Sequence, residues 1–189
     1  MNADRPLPGD APDVGIVPDD KDWTWVLDSV CPDCGFDAAA LDPSAMGDLI
    51  RGNAMIWSDL LGGAGADLAE RPSPDRWSTL EYACHVRDVY LLFGIRLQLM
   101  LDRDGPPFEN WDQDSTAVAE RYGEQDPARV AVELSEAATR LAAQFDDVDG
   151  AQWQRTGFRS DGSAFTVDSL ARYLMHDPVH HLWDVGALR

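Results

Sequence analysis

Met175-His176-Asp177-Pro178-Val179-His180-His181-Leu182-Trp183-Asp184 is the stretch on which the fold turns. It holds three of the chain's four histidines; the fourth, His85, lies in Glu81-Tyr82-Ala83-Cys84-His85-Val86-Arg87-Asp88. On a helix, His176 and His180 are one turn apart and share a face. Two imidazoles at that spacing can grip one metal ion, and a third from a facing helix completes a set with an open coordination position. Pro178 stands in the way. Inside a helix it removes a hydrogen bond and crowds the carbonyl of Leu174, at a cost of roughly 3 kcal/mol. The apolar pattern nevertheless runs on through Val179, Leu182, Trp183 and Val185, which predicts a helix kinked at Pro178 rather than one that ends there.

The same periodicity recurs upstream. Asp42-Pro43 suits an N-cap and first helical position, and Met46, Leu49, Ile50, Ala54, Trp57 and Leu61 follow at helical spacing up to Gly62-Gly63. Ser78 and Glu81 have the spacing of a capping box, opening a second helix to about Asp102 that is apolar on more than one face and therefore central. Asp126-Pro127 opens a third, to about Phe145, with Val130, Leu134, Ala138 and Leu141 on one face. Thr166 caps the histidine helix. Between the second and third runs a long acidic and aromatic connection around Phe108 to Asp114, with a short helix expected over Ser115 to Tyr122; such a connection often rims a site. Trp153 to Ala164 is turn-rich. Four long helices with two long connections make an all-α four-helix bundle, a fold that builds metal sites between facing helices. The bundle is expected over residues 42–189, an N-terminal extension over 23–41, and a disordered or loosely packed tail over 1–22. In the extension, Trp23 to Leu27 reads as a short extended segment.

Composition narrows the function. A chain of 189 residues with a net charge of −19 is ill suited to phosphate neutralisation or to anionic membranes. Partners are expected among small molecules rather than nucleic acid or membrane, and the apolar second helix is compatible with a homodimer. Met1 to Asp22 lacks the basic and apolar regions of a secretory signal, so a cytoplasmic setting is expected, with its three cysteines reduced.

Trp77-Ser78-x-x-Glu81-x-x-x-His85-x-x-Asp88 on the second helix, with His176-x-x-x-His180-His181 on the fourth, resembles the DinB-like superfamily, whose relatives include bacillithiol transferases and mycothiol-dependent maleylpyruvate isomerases. The likeness spans about residues 42 to 185. It implies an up-down-down-up bundle and a divalent metal, zinc or nickel, held by His85, His176 and His180, with water at the open position. It also implies an activity that moves a low-molecular-weight thiol onto or around a small electrophile: a thiol displaces the water, becomes a metal-bound thiolate and attacks carbon. The same site admits two other uses, metal-dependent hydrolysis and non-catalytic metal binding in a sensor.

Around the histidines, Asp88 can hold a ligand's second ring nitrogen or act as a base, or else form a surface ion pair. Arg87 can clamp a substrate carboxylate or pair with surface acids. Asp177 and Asp184 have the same two roles open as Asp88. His181 projects about 100° from the His176–His180 face and is assigned to support or packing. Trp111 is placed near the substrate because it lies in the long connection.

Cys31-Pro32-Asp33-Cys34-Gly35 has the form of a zinc knuckle, which is half of a structural zinc site. Four outcomes stay open for Cys31 and Cys34: a second metal site completed by histidine or a partner chain, a redox dithiol, a simple turn, or closure of the histidine site by a cysteine.

Overall fold

A computed structural model of the chain describes residues 16, 21–63 and 67–188. The tail expected over 1–22 lies almost wholly outside them. Local chemistry sets each helix start. Asp42 accepts from the Ser44 backbone N–H at 3.0 Å, and Pro43 opens a 3-10 turn that runs into α1, Met46–Leu61. Ser78 and Glu81 form the reciprocal capping box of α2, Thr79–Asp102, with bonds of 2.8 and 3.2 Å. Asp112 accepts from Ser115 N–H and starts α3, Gln113–Ala119, which is earlier and shorter than the Ser115–Tyr122 helix expected. Arg121 then takes a left-handed conformation (φ 52°) and turns the chain into a 3-10 turn at Tyr122–Glu124. Asp126 caps α4, Pro127–Asp146. Thr166 caps α5, Val167–Asp184, which continues through Pro178 as the apolar pattern required.

Two further features differ from the sequence expectation. Trp23–Leu27 is a 3-10 turn, not an extended segment, because Asp22 accepts from Thr24 N–H and caps it as it would a helix. The turn-rich region holds an antiparallel hairpin, β1 (Thr156–Phe158) against β2 (Ala164–Thr166), with Gly157 opposite Phe165. Three-residue strands are too short for alternation to register as a pattern. Gly157 is required there: a Cβ would fall 2.4 Å from Phe108 Cζ.

α4 packs along both α1 and α2, while α5 packs on α2 and α1 and receives the Trp23–Leu27 turn on its outer side. Trp57, Met46, Ile50, Leu80, Leu97, Leu134, Leu141, Leu170 and Leu174 fill the interior and are almost wholly buried. Each such side chain contributes about 1.5–3 kcal/mol by leaving water. This is the four-helix bundle expected, with α3 riding on the crossover between α2 and α4. Phe108 N–H donates to Phe158 O at 2.7 Å and Phe158 N–H to Pro106 O at 3.0 Å, which pins the crossover to the hairpin and holds the Trp111 region over α2. No described helix is long and apolar enough to cross a membrane.

Candidate metal centre

α5 carries its potential ligands on two faces. Leu170, Leu174, Pro178 and Leu182 are buried and mark the inward side. At about 100° per residue, Asp177 and His181 fall on one flank of that side, and His176 and His180 fall roughly opposite it. The flank faces α2. There His85, Asp177 and His181 bring one ligand atom each within 4.8 Å of one another. The outer face meets the N-terminal extension, where Cys31 and Cys34 join His176 and His180 within the same limit.

The set expected from the sequence, His85 with His176 and His180, is therefore not brought to one point. The helix is turned by one residue relative to that expectation. Asp177, left open above between a role beside the ligands and a surface ion pair, and His181, assigned to support or packing, face His85, while His176 and His180 face the cysteines.

Around His85 the geometry suits an ion. His85 Nε2 lies 3.3 Å from Asp177 Oδ1, and His181 Nε2 lies 3.8 Å from the same oxygen. Ligand atoms sharing one metal in tetrahedral geometry would stand about 3.4 Å apart. Asp177 Oδ1 is buried and forms no hydrogen bond among the described residues, which is how an oxygen facing a cation is left. Burial pushes the Asp177 carboxyl up, but His85 and His181 outweigh it and hold the group at about 2. His181 is oriented through its other ring nitrogen: Nδ1 stands 2.8 Å from Asp184 Oδ2, and Nε2 is turned toward Asp177. Arg76 Nη2 donates to the same carboxylate at 3.1 Å. A metal held by these three residues would keep a fourth position open, as catalytic rather than structural zinc does.

A cavity of about 660 Å³ opens beside fully buried His85, lined by Asp177 and His181 and also by His176 and His180. Trp111 stacks on His85 with rings 5.4 Å apart and 13° from parallel, so the long connection supplies a wall as expected. Trp77 flanks the same imidazole at 5.4 Å. Arg96 and Arg159 also line the cavity, and each has one buried guanidinium nitrogen (Nε and Nη1) without a hydrogen-bond partner among the described residues. Burial draws Arg96 down to about 10, so it stays charged at neutral pH. Sequence reasoning missed both arginines, because only the fold brings a helix and a hairpin to one cavity.

Arg87 and Asp88 lie elsewhere. Arg87 donates to Asp88 at 2.8 Å, Gln125 at 2.8 Å and Glu133 at 2.7 Å, while Tyr122 OH donates to Asp88. Arg87 is two residues from His85 and so points to the α4 side of α2. Neither residue lines the cavity above His85. They tie α2 to α4 and to the turn after α3.

A bundle whose facing helices bring imidazole and carboxylate groups to one buried point is a familiar frame for metal-binding helical proteins. The chain belongs to the DinB superfamily, whose family model matches residues 55–185. Among solved structures it is similar to YfiT from Bacillus subtilis, described as a probable metal-dependent hydrolase with an unusual four-helix bundle topology. That likeness has a TM-score of 0.69 at 17% identity and covers 77% of this chain and 85% of YfiT; it is a likeness of fold. No curated protein matches the sequence.

Proposed function

We propose that this protein is a divalent-metal-dependent enzyme acting on a small molecule, with His85, Asp177 and His181 as the ligands. We further propose that it uses an external low-molecular-weight thiol to transfer onto, or rearrange, an electrophilic substrate. The observation that carries the reading is Asp177 Oδ1, buried between two imidazole nitrogens with no hydrogen-bond partner among the described residues, while Oδ2 of the same carboxylate meets His85 Nε2 at 3.4 Å. Zinc or nickel held there would supply the Lewis acidity that keeps a thiol ionised or brings the pKa of water toward about 7.

The surrounding residues have separable tasks. Asp184 fixes the ring of His181. Trp111 and Trp77 cover His85 and keep bulk water from it. Arg96 and Arg159 offer N–H donors to an anionic group, so the substrate class favoured is a small carboxylate-bearing electrophile. Among the described residues that line this cavity there is no thiol and no serine or threonine hydroxyl. Cys84 is fully buried, its thiol pushed up to about 12 by that burial, and it does not line the cavity. On this reading the nucleophile enters from solvent, as a thiol or as water. The cavity's size, within the roughly 300–1,000 Å³ of ligand sites, leaves space for a thiol beside its acceptor.

Hydrolysis is the second reading, favoured by the description of YfiT and by the same open position. Metal-loaded protein assayed on carboxylate-bearing electrophiles with a panel of small thiols, and on ester and amide substrates without thiol, separates the two. Turnover that needs both thiol and metal and is lost in His181→Ala supports the first. Turnover of esters or amides without thiol replaces it with the second. An enzyme that binds metal at His85 yet turns over neither set refutes both.

A further inference from the structure

The second cluster lies outside the centre just described. We infer that Cys31, Cys34, His176 and His180 form a closed structural zinc site that fastens the N-terminal extension to the outer face of α5.

The donor set is complete. Two thiolates and two imidazoles are what tetrahedral zinc takes when it holds structure rather than substrate. The four donor atoms lie within 4.8 Å of one another with no ion between them. Cys31 Sγ stands 3.6 Å from His180 Nδ1. That is an ordinary length for a hydrogen bond to sulfur, and it is also the edge of a tetrahedron with bonds of about 2.3 Å to sulfur and 2.0–2.1 Å to nitrogen, which comes to about 3.6 Å. His176 adds an independent sign: its Nε2 is buried with no hydrogen-bond partner among the described residues. Its ring is fixed between Trp23 at 5.2 Å and Phe36 at 5.4 Å.

The chain around the cysteines is shaped to present them. Gly35 N–H donates to Cys31 O and Cys31 N–H donates to Phe36 O, both at 2.9 Å. Gly35 takes φ +73°, the left-handed conformation that lets the turn close. Two thiols are thereby aimed at one point, with His176 and His180 one helical turn apart facing them.

Packing alone gives this segment little hold. Of its side chains from Trp23 to Leu41, only Val26, Cys31, Phe36 and Ala38 are buried. A zinc ion binding four deprotonated or neutral donors would supply the missing cohesion directly, since such binding energy is folding energy. The extension in turn contributes Trp23 and Asp33 to the rim of the cavity above His85. Zinc at the cysteines would therefore hold one wall of the proposed active site without taking part in chemistry. This inference does not depend on the activity proposed above.

The test is metal content and cobalt spectroscopy of full-length protein purified without chelator or nickel resin. Wild type, Cys31→Ser and His85→Ala are compared. The expected result is that Cys31→Ser loses one zinc per chain relative to wild type, while His85→Ala keeps that zinc. Cobalt-loaded wild type and His85→Ala should both show thiolate-to-cobalt charge-transfer absorption, and Cys31→Ser should lose it. If Cys31→Ser does not fold, Cys34→His carries the test: it keeps four donors, so the metal stays and the absorption falls about twofold as one of two thiolates is lost. Equal metal content in wild type and Cys31→Ser, absence of thiolate absorption in the wild type, or a Cys31–Cys34 disulfide in the purified protein each overturns the inference. Failure of the His85 centre alone would show as metal content and absorption identical in wild type and His85→Ala.

Discussion

Replacing Asp184 by asparagine should weaken metal binding at the His85 centre while leaving its ligands in place. The carboxylate holds His181 Nδ1 at 2.8 Å, its side chain is only 12% exposed, and Arg76 is its other partner at 3.1 Å. Burial pushes the group up, but its bond to His181 and the neighbouring charges hold it below the usual carboxylate range, so it is ionised at neutral pH. Asparagine keeps the shape and one acceptor but removes the charge that makes the imidazole a stronger donor to metal. Loss of a carboxylate behind a ligating histidine typically costs 10–100-fold in metal affinity, or about 1.4–2.7 kcal/mol.

Competition with a chromophoric chelator measures the change as a dissociation constant for zinc. Asp184 also faces His180 Nε2, but at 4.0 Å, beyond hydrogen-bond range, so the effect should fall on the His181 side. Arg76→Gln is the control: it removes the guanidinium yet leaves the His181–Asp184 contact, and zinc affinity should stay within about threefold of wild type. An Asp184→Asn protein that binds zinc within about twofold of wild type would refute the role given to Asp184. Equal losses in Asp184→Asn and Arg76→Gln would refute it as well, since the effect would then belong to the ion pair.

Other outcomes follow from the packing and the caps. Leu134→Ala, at a fully buried position of α4, should cost about 2–5 kcal/mol and lower the melting temperature by roughly 4–20 °C, read by calorimetry. Gly157→Ala forces a Cβ against Phe108 Cζ and Met100 Cγ, and a loss of about 1–3 kcal/mol in denaturant unfolding is expected. Glu81→Gln tests the cap of α2. Burial raises the Glu81 carboxyl, but the two-nitrogen grip of Arg71 and the Ser78 N–H outweigh it, so its pKa is lower in the folded chain than in the unfolded one. Its stabilisation is therefore present above about pH 4.3 and is lost as pH falls through the folded value. Glu81→Gln should be less stable than wild type at pH 7 by about 1–3 kcal/mol, with the gap closing in acid; a gap that does not depend on pH would show that the charge is not what matters.

Much of this fold was legible because its signals are local. Asp42-Pro43, Ser78 with Glu81, Asp126-Pro127 and Thr166 each start a helix where the side chain can satisfy an orphan N–H, and the structure uses all four. The hairpin was not legible, since three-residue strands carry no period and their pairing with the crossover is non-local. The site was half legible. His85 and the 176–181 cluster could be singled out by residue type, but which pair on α5 faces α2 depends on how that helix rolls in the bundle. Leu170, Leu174, Pro178 and Leu182 do set the inward side, and they leave His176 and His180 roughly opposite it. What they do not set is which flank meets α2, and that decides the part played by Asp177 and His181. The cysteines were harder still: Cys31 and His180 are separated by 149 positions, and no local spacing links them.

The arrangement on α5 has a physical consequence that neither cluster has alone. His176, Asp177, His180 and His181 are two i, i+4 pairs offset by one residue, so a single stretch of helix presents two donor pairs about 100° apart. One pair meets α2 inside the bundle and the other meets the extension outside it. Helical backbone between them is stiff, held by its own hydrogen bonds, and Pro178 removes one of those bonds in this very stretch. A helix freed of one bond can adjust its local roll more easily than an intact one, and the two donor pairs, about 100° apart, constrain that roll from two directions. Zinc on the outer pair, as inferred above, would fix it to the extension and so limit how far Asp177 and His181 can drift from His85. On this argument the CxxC segment is a positioning element for the inner centre, acting through the backbone of α5 rather than through any contact with substrate.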